Sequence, residues 1–126
     1  MSKTVLCIDD SRAVHAFLKD CLKDTGYTVT SAMNGEEALK LVQAKGGPTP
    51  FDLIFLDWEM PVKNGPDTFS DIKQMGVNTP VIMLTSKSNP EDIAKMLDAG
   101  VNEYIMKPFN QEILLEKIQF VLGDKA

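Results

Sequence analysis

Residues 51–65 read FDLIFLDWEMPVKNG: apolar side chains at Phe51, Leu53, Ile54, Phe55 and Leu56, then Asp57, then a run carrying Pro61, Asn64 and Gly65. A short stretch so nearly continuous in apolar residues suits a strand covered on both faces, because neither side then needs polar residues to meet water. Covered strands belong to parallel sheets, whose neighbours are joined by crossovers lying on the sheet faces. An acid that closes such a strand, with turn residues after it, stands at the carboxyl edge of the sheet.

Outward from this segment the same alternation recurs. Strands are predicted at 4–8, 27–31, 51–56, 81–84 and 101–106, each followed by helical periodicity. The first helix, 11–25, repeats Val14, Phe17, Leu18, Cys21 and Leu22 at three- and four-residue steps to make one buried stripe, and Gly26 ends it. Asn34 caps a second that buries Ala38, Leu39 and Val42, with Gly46-Gly47-Pro48 stopping it and a long mobile loop expected at 45–50. The third begins near Pro66 and ends before Gly76. The fourth opens Asn89-Pro90-Glu91-Asp92 and ends at Gly100, and the fifth, capped by Asn110, turns Leu114, Leu115, Ile118, Val121 and Leu122 inward. Five strands alternating with five helices predict an α/β fold, a flavodoxin-like (βα)5 three-layer sandwich. Right-handed crossovers give its parallel five-stranded sheet the order 2-1-3-4-5.

At 126 residues the chain matches one domain, so 1–126 reads as a single domain without a second, effector domain. The net charge of −5 repels phosphate backbones and argues against nucleic-acid binding. No apolar run approaches the roughly 20 residues that span a bilayer, and no secretory leader is visible, so a cytoplasmic location without membrane association is expected. Cys7 and Cys21 lack metal-ligand neighbours at short spacing and read as buried free thiols. His15 reads as an exposed helix residue without a catalytic role.

Four predicted strands end in polar or charged groups: Asp9 and Asp10 after the first, Asp57 after the third, Thr85 and Ser86 after the fourth, Lys107 after the fifth. In an open parallel sheet these ends share one edge, and the order 2-1-3 sets the first and third side by side. Converging carboxylates repel, and a hard divalent cation relieves this; an all-oxygen donor set suits Mg²⁺, or Mn²⁺ in its place, better than Zn²⁺. Lys107 and the Thr85 hydroxyl add a cation and a donor for anionic oxygens. Such a pocket suits phosphoryl transfer, whose demands are mainly positioning and charge neutralisation, with Asp57 as the nucleophile. No glycine-rich phosphate loop is present, so the donor comes from outside.

The segments VLCIDD (5–10), DWEMPVKNG (57–65), LTS (84–86) and YIMKPF (104–109) together resemble the response-regulator receiver family, most closely its CheY-like stand-alone members. The resemblance implies phosphorylation of Asp57 by a histidine kinase, a histidine phosphotransfer protein or a small phosphodonor. It implies Mg²⁺ held by Asp9 or Asp10 with Asp57 and the Glu59 backbone carbonyl, a switch formed by Thr85 and Tyr104, and a cis Lys107-Pro108 bond. It further implies a signalling switch that catalyses only its own phosphoryl transfer and autodephosphorylation, in chemotaxis or a phosphorelay. A downstream target would bind the face of the fourth helix, fifth strand and fifth helix, where Ile113 and Phe120 sit toward the edge of the buried stripe. Glu59 and Lys87 depart from the familiar chemotaxis pattern of asparagine and glutamate; they are expected to pair across the pocket mouth and tune the dephosphorylation rate. Trp58, the single tryptophan, adjoins Asp57 and should report on the pocket.

Two other functions fit parts of the pattern. An aspartate-nucleophile phosphatase of the haloacid dehalogenase type would put the nucleophile after the first strand and a second Asp two residues later, and this chain does neither. A flavodoxin-like FMN carrier would need its phosphate loop at Asp9-Asp10, where two acids repel a phosphate.

Overall fold

A computed structural model describes residues 3–44, 51–58, 60, 64–86 and 89–123. Strands and helices alternate as β1 (Lys3–Ile8), α1 (Arg12–Leu22), β2 (Tyr27–Ala32), α2 (Gly35–Ala44), β3 (Leu53–Asp57), α3 (Gly65–Gln74), β4 (Val81–Thr85), α4 (Pro90–Ala99), β5 (Glu103–Met106) and α5 (Gln111–Leu122). The sheet is parallel throughout, in the order β2-β1-β3-β4-β5, which is the expected doubly wound topology. The reversal of winding falls at β1, between β2 and β3, so a crevice opens at the carboxyl ends of β1 and β3.

Alternation along the covered strands divides the core into two layers. Leu6, Ile8, Ile54, Leu56, Val81 and Met83 face α2, α3 and α4 through Ala38, Val42, Phe69, Ile72 and Met96. Val5, Cys7, Leu53, Phe55, Ile82, Leu84 and Ile105 face α1 and α5 through Leu18, Cys21, Leu22, Leu114 and Ile118. Each fully buried Leu, Ile or Phe contributes roughly 1.5–3 kcal/mol relative to exposure, so both layers hold the sheet rigid beneath its edge.

The helix starts follow their caps. Asn34, Asn64, Asn89 and Asn110 each accept, through the side-chain oxygen, a backbone N–H of the first turn at 2.8–2.9 Å. Ser11 does the same for Val14 at 3.3 Å. At the other end, Gly26 and Gly100 take the left-handed conformation expected of helix-terminating glycines, with φ of 88° and 115°. β5 starts two residues later than predicted, because Val101 still bonds back to Met96 and Asn102 meets Val81 before the ladder begins. The expected loop at 45–50, with its Gly46-Gly47-Pro48 stop, lies outside the described residues, as does Pro61.

α1 is rotated from the expected orientation. Phe17 is 40% exposed rather than part of the buried stripe, while His15 is only 5% exposed. The inner face runs through His15, Leu18 and Leu22, at steps of three and four, which leaves Phe17 turned outward. There its ring meets Phe109 edge-on, centroids 5.4 Å apart. Cys7 and Cys21 are buried free thiols, as expected, and burial, helped by the charge of Asp9, pushes the Cys7 thiol pKa well up. No helix among the described residues is long and apolar enough to cross a membrane.

Candidate functional site

The register carries β1 and β3 side by side up to Ile8 opposite Leu56, so the next residues, Asp9 and Asp57, emerge together at the carboxyl edge. Asp9, Asp10 and Asp57 each offer a carboxylate oxygen, and all three atoms lie within 4.8 Å of one another. Asp9 and Asp57 are buried, whereas Asp10 is exposed at the rim.

Hydrogen bonds between neighbouring strand ends hold this edge in shape. Trp58 N–H donates to the Leu84 carbonyl at 3.0 Å, and Lys107 N–H donates to the Thr85 carbonyl at 2.8 Å. The Lys107 side chain then returns across the crevice, its ammonium 2.9 Å from Asp9 Oδ2 and 3.2 Å from Asp57 Oδ1. The Lys107-Pro108 peptide bond is cis. Burial draws the lysine pKa down, but contact with Asp9 and its charge, then the charge and hydrogen bond of Asp57, outweigh that and hold it above the ordinary lysine value. Thr85, fully buried, closes β4 beside Asp57.

One ammonium does not neutralise three carboxylates. Asp9 Oδ2, fully buried, has the Lys107 ammonium at 2.9 Å as its one partner among the described residues, and a carboxylate oxygen can accept more than that. Oxygen donors, excess negative charge and an under-used buried acceptor fit a hard divalent cation such as Mg²⁺. In the metal-free protein the carboxylates repel one another, so Asp10→Asn should raise the thermal midpoint. Added Mg²⁺ should stabilise the wild type more than the variant; thermal unfolding with and without Mg²⁺ measures both signs.

Residues 5–119 match the family model described as the response regulator receiver domain. The chain belongs to that family. Receiver domains are the signalling switches of two-component response regulators; they bind Mg²⁺ through an acidic pocket and interact with histidine kinases and downstream targets. Among similar proteins, the chemotaxis protein CheY1 of Helicobacter pylori is 34% identical over 122 residues, covering 94% of this chain and 96% of CheY1. The transcriptional regulatory protein CpxR of Escherichia coli is 38% identical over 118 residues, covering 94% of this chain. The chain spans about half of CpxR, 48% of its length. The structure of Vibrio cholerae chemotaxis protein CheY4 superimposes with a TM-score of 0.87 at 34% identity, covering 97% of this receiver and all of that chain.

Of the residues singled out from sequence, Asp9, Asp10, Asp57, Thr85 and Lys107 share the edge of the receiver sheet. Tyr104 lies half-buried on β5, its ring 5.7 Å from the Lys117 ammonium, which also pairs with Glu103 at 3.2 Å. Glu59 and Lys87 lie outside the described residues. Sequence reasoning passed over His15: its Nε2–H donates to the Asp9 backbone carbonyl at 2.7 Å. The signal was its phase, three residues before Leu18 and seven before Leu22 on the buried face.

Proposed function

We propose that this receiver is the phospho-acceptor of a two-component pathway. An Asp57 carboxylate oxygen attacks the phosphorus of a histidine-kinase phosphohistidine, of a histidine phosphotransfer protein or of a small donor such as acetyl phosphate. The phosphorus–nitrogen or phosphorus–oxygen bond of the donor breaks, the leaving group departs with its electron pair, and an acyl phosphate remains on Asp57. The observation that carries this reading is the Lys107 ammonium lying between two buried carboxylates at the switch point of the sheet. An anionic group arriving at Asp57 meets fixed positive charge there rather than reorganising solvent.

In this reading Lys107 and the Thr85 hydroxyl each take one phosphoryl oxygen. Asp9, Asp10, Asp57 and the Glu59 backbone carbonyl hold Mg²⁺, for which Mn²⁺ substitutes. When bound, the metal supplies charge neutralisation at the phosphoryl oxygens. An apolar cleft of about 530 Å³ adjoins Lys107, lined by Val14, Phe17, Ser86, Pro108 and Phe109 among others, and suits the docking of a phosphodonor protein.

Phosphorylation draws Thr85 toward the phosphoryl group, and Tyr104 turns into the space released. This shifts a pre-existing equilibrium as far as the phosphoryl group favours one state. The output leaves through α4, β5 and α5, where Leu97, Ile113 and Phe120 are 43%, 42% and 71% exposed, and meets a target in chemotaxis or a phosphorelay within the cytoplasm.

Trp58 fluorescence, titrated with Mg²⁺ and then with acetyl phosphate or beryllium fluoride, tests the reading. Two successive responses are expected, with an acid-stable, hydroxylamine-labile phosphoryl group mapping to Asp57. Steady turnover of phosphomonoesters would instead identify a phosphatase, and a yellow protein an FMN carrier.

A further inference from the structure

His15 is the one histidine of the chain, and its place in the fold is not explained by packing alone. It sits on the inner face of α1, 5% exposed, and the other buried side chains of that helix, Leu18, Cys21 and Leu22, are apolar. A polar ring so buried costs free energy unless its hydrogen bonds are made. One is made well: a carbonyl oxygen only accepts, so Nε2 carries the hydrogen and donates it to Asp9 at 2.7 Å. The other nitrogen, Nδ1, is buried without a partner among the described residues. A leucine there would avoid that cost, so the contact with Asp9 is what the histidine offers.

That contact lands on the residue through which the acidic pocket is built. The Asp9 side chain is tied to the same helix start, because Oδ1 accepts the Ser11 N–H at 2.8 Å, while Oδ2 faces Lys107 at 2.9 Å. With Ser11 fixing the carboxylate and His15 fixing the peptide plane between Asp9 and Asp10, both acids of the turn take their direction from α1. Asp10 has no burial to hold it; its aim depends on that peptide plane.

We infer that His15 is a positioning residue for the cation site, holding the Asp9-Asp10 turn in the geometry that a divalent ion requires. The inference rests on the metal-dependent reading above. Groups that orient metal ligands from behind commonly govern affinity by ten- to a hundred-fold when removed. His15 acts here on the backbone of a ligand pair rather than on a ligand side chain, so the lower end applies. The effect falls on metal affinity, not on the chemistry at Asp57 once the metal is bound.

The test compares wild type, His15→Met and His15→Gln, which are similar in volume and differ in the donor. Mg²⁺ binding is followed by calorimetry and Trp58 fluorescence. His15→Met should need about ten-fold more Mg²⁺ for half-saturation, and His15→Gln should return close to wild type. At saturating Mg²⁺ all three should phosphorylate at the same rate from acetyl phosphate. Equal Mg²⁺ affinity in wild type and His15→Met, or a glutamine variant as weak as the methionine one, overturns the inference alone. A wild type that binds no Mg²⁺ overturns the site reading as well.

Should His15→Met not fold, the wild-type protein decides. Coupling between two events is reciprocal, so metal that profits from the bond must strengthen it. The His15 Nε2–H should then exchange with solvent more slowly on Mg²⁺ saturation, by a larger factor than the Leu18 and Leu22 amides of the same helix. An equal factor overturns the inference.

Discussion

Lys107→Met is expected to slow phosphorylation of Asp57 about 10²–10³-fold while tightening Mg²⁺ binding, two effects of opposite sign from one substitution. The rate loss follows from removing a preorganised donor aimed at an oxygen on which charge accumulates, a class of change that costs about 2.7–4 kcal/mol of barrier. The gain in affinity follows from the ammonium's position, 2.9 Å and 3.2 Å from carboxylates that the proposed cation site would also use. Two unit charges 4 Å apart repel by about 4 kcal/mol at an effective dielectric constant of 20. Solvent reaches the lysine, whose side chain is 22% exposed, so several-fold tighter binding is the realistic outcome. Asp57→Asn should show no acyl phosphate and weaker Mg²⁺ binding, so the two variants separate the ligand from its competitor.

The same substitution has a signature in stability. Without metal, removing the cation leaves Asp9 and Asp57 facing each other, at a cost of about 1–3 kcal/mol, below the value for a fully buried pair because the ammonium reaches water. Since the folded-state pKa of Lys107 is raised, its contribution is complete below the ordinary value of 10.5 and fades as pH rises through the raised one. Denaturant unfolding of the wild type should therefore show an alkaline loss above that ordinary value that Lys107→Met lacks. Phosphorylation at the wild-type rate in the variant would remove the lysine from the chemistry.

The fold was legible because its strands are covered on both faces. The apolar run before Asp57 has few other uses, and the caps Asn34, Asn89 and Asn110 bracket the helices at the residues where they begin. The acidic edge was legible for a related reason, since a carboxylate that ends such a strand has one place to go. What sequence did not give was the rotation of α1. Phe17 looked buried because it is large and apolar, yet its partner is Phe109 from the far end of the chain, and that contact leaves it at the surface. His15 looked exposed because it is polar. Its bond goes to a backbone carbonyl, which carries no residue identity for a sequence reading to detect.

Gly65→Ala is expected to destabilise the protein by about 3 kcal/mol or more and to lower phosphorylation although every reacting side chain is intact. The cause is steric. A Cβ on Gly65 would lie 2.6 Å from the Asp57 carbonyl oxygen and 2.7 Å from Trp58 Cα, both backbone atoms of the strand end that carries Asp57. Overpacking a side-chain core typically costs about 1–3 kcal/mol because rotamers shift to absorb it, and here no rotamer is available to move. Relief must come from the turn itself, where Gly65 N–H donates to the Trp58 carbonyl at 3.0 Å and Asn64 caps α3. Moving that turn moves Asp57 against Lys107 and the acids of β1, and small misplacements of reacting groups cost far more in rate than in stability. Gly76→Ala is the contrasting case. Its φ is +81° but nothing lies within 4 Å of the added methyl, so strain of about 1–2 kcal/mol is the whole effect, and phosphorylation should be untouched. Urea unfolding gives the stabilities, and acetyl phosphate kinetics at saturating Mg²⁺ give the rates. If the two alanine variants behaved alike, contact between the 65 turn and β3 would not be what aims Asp57.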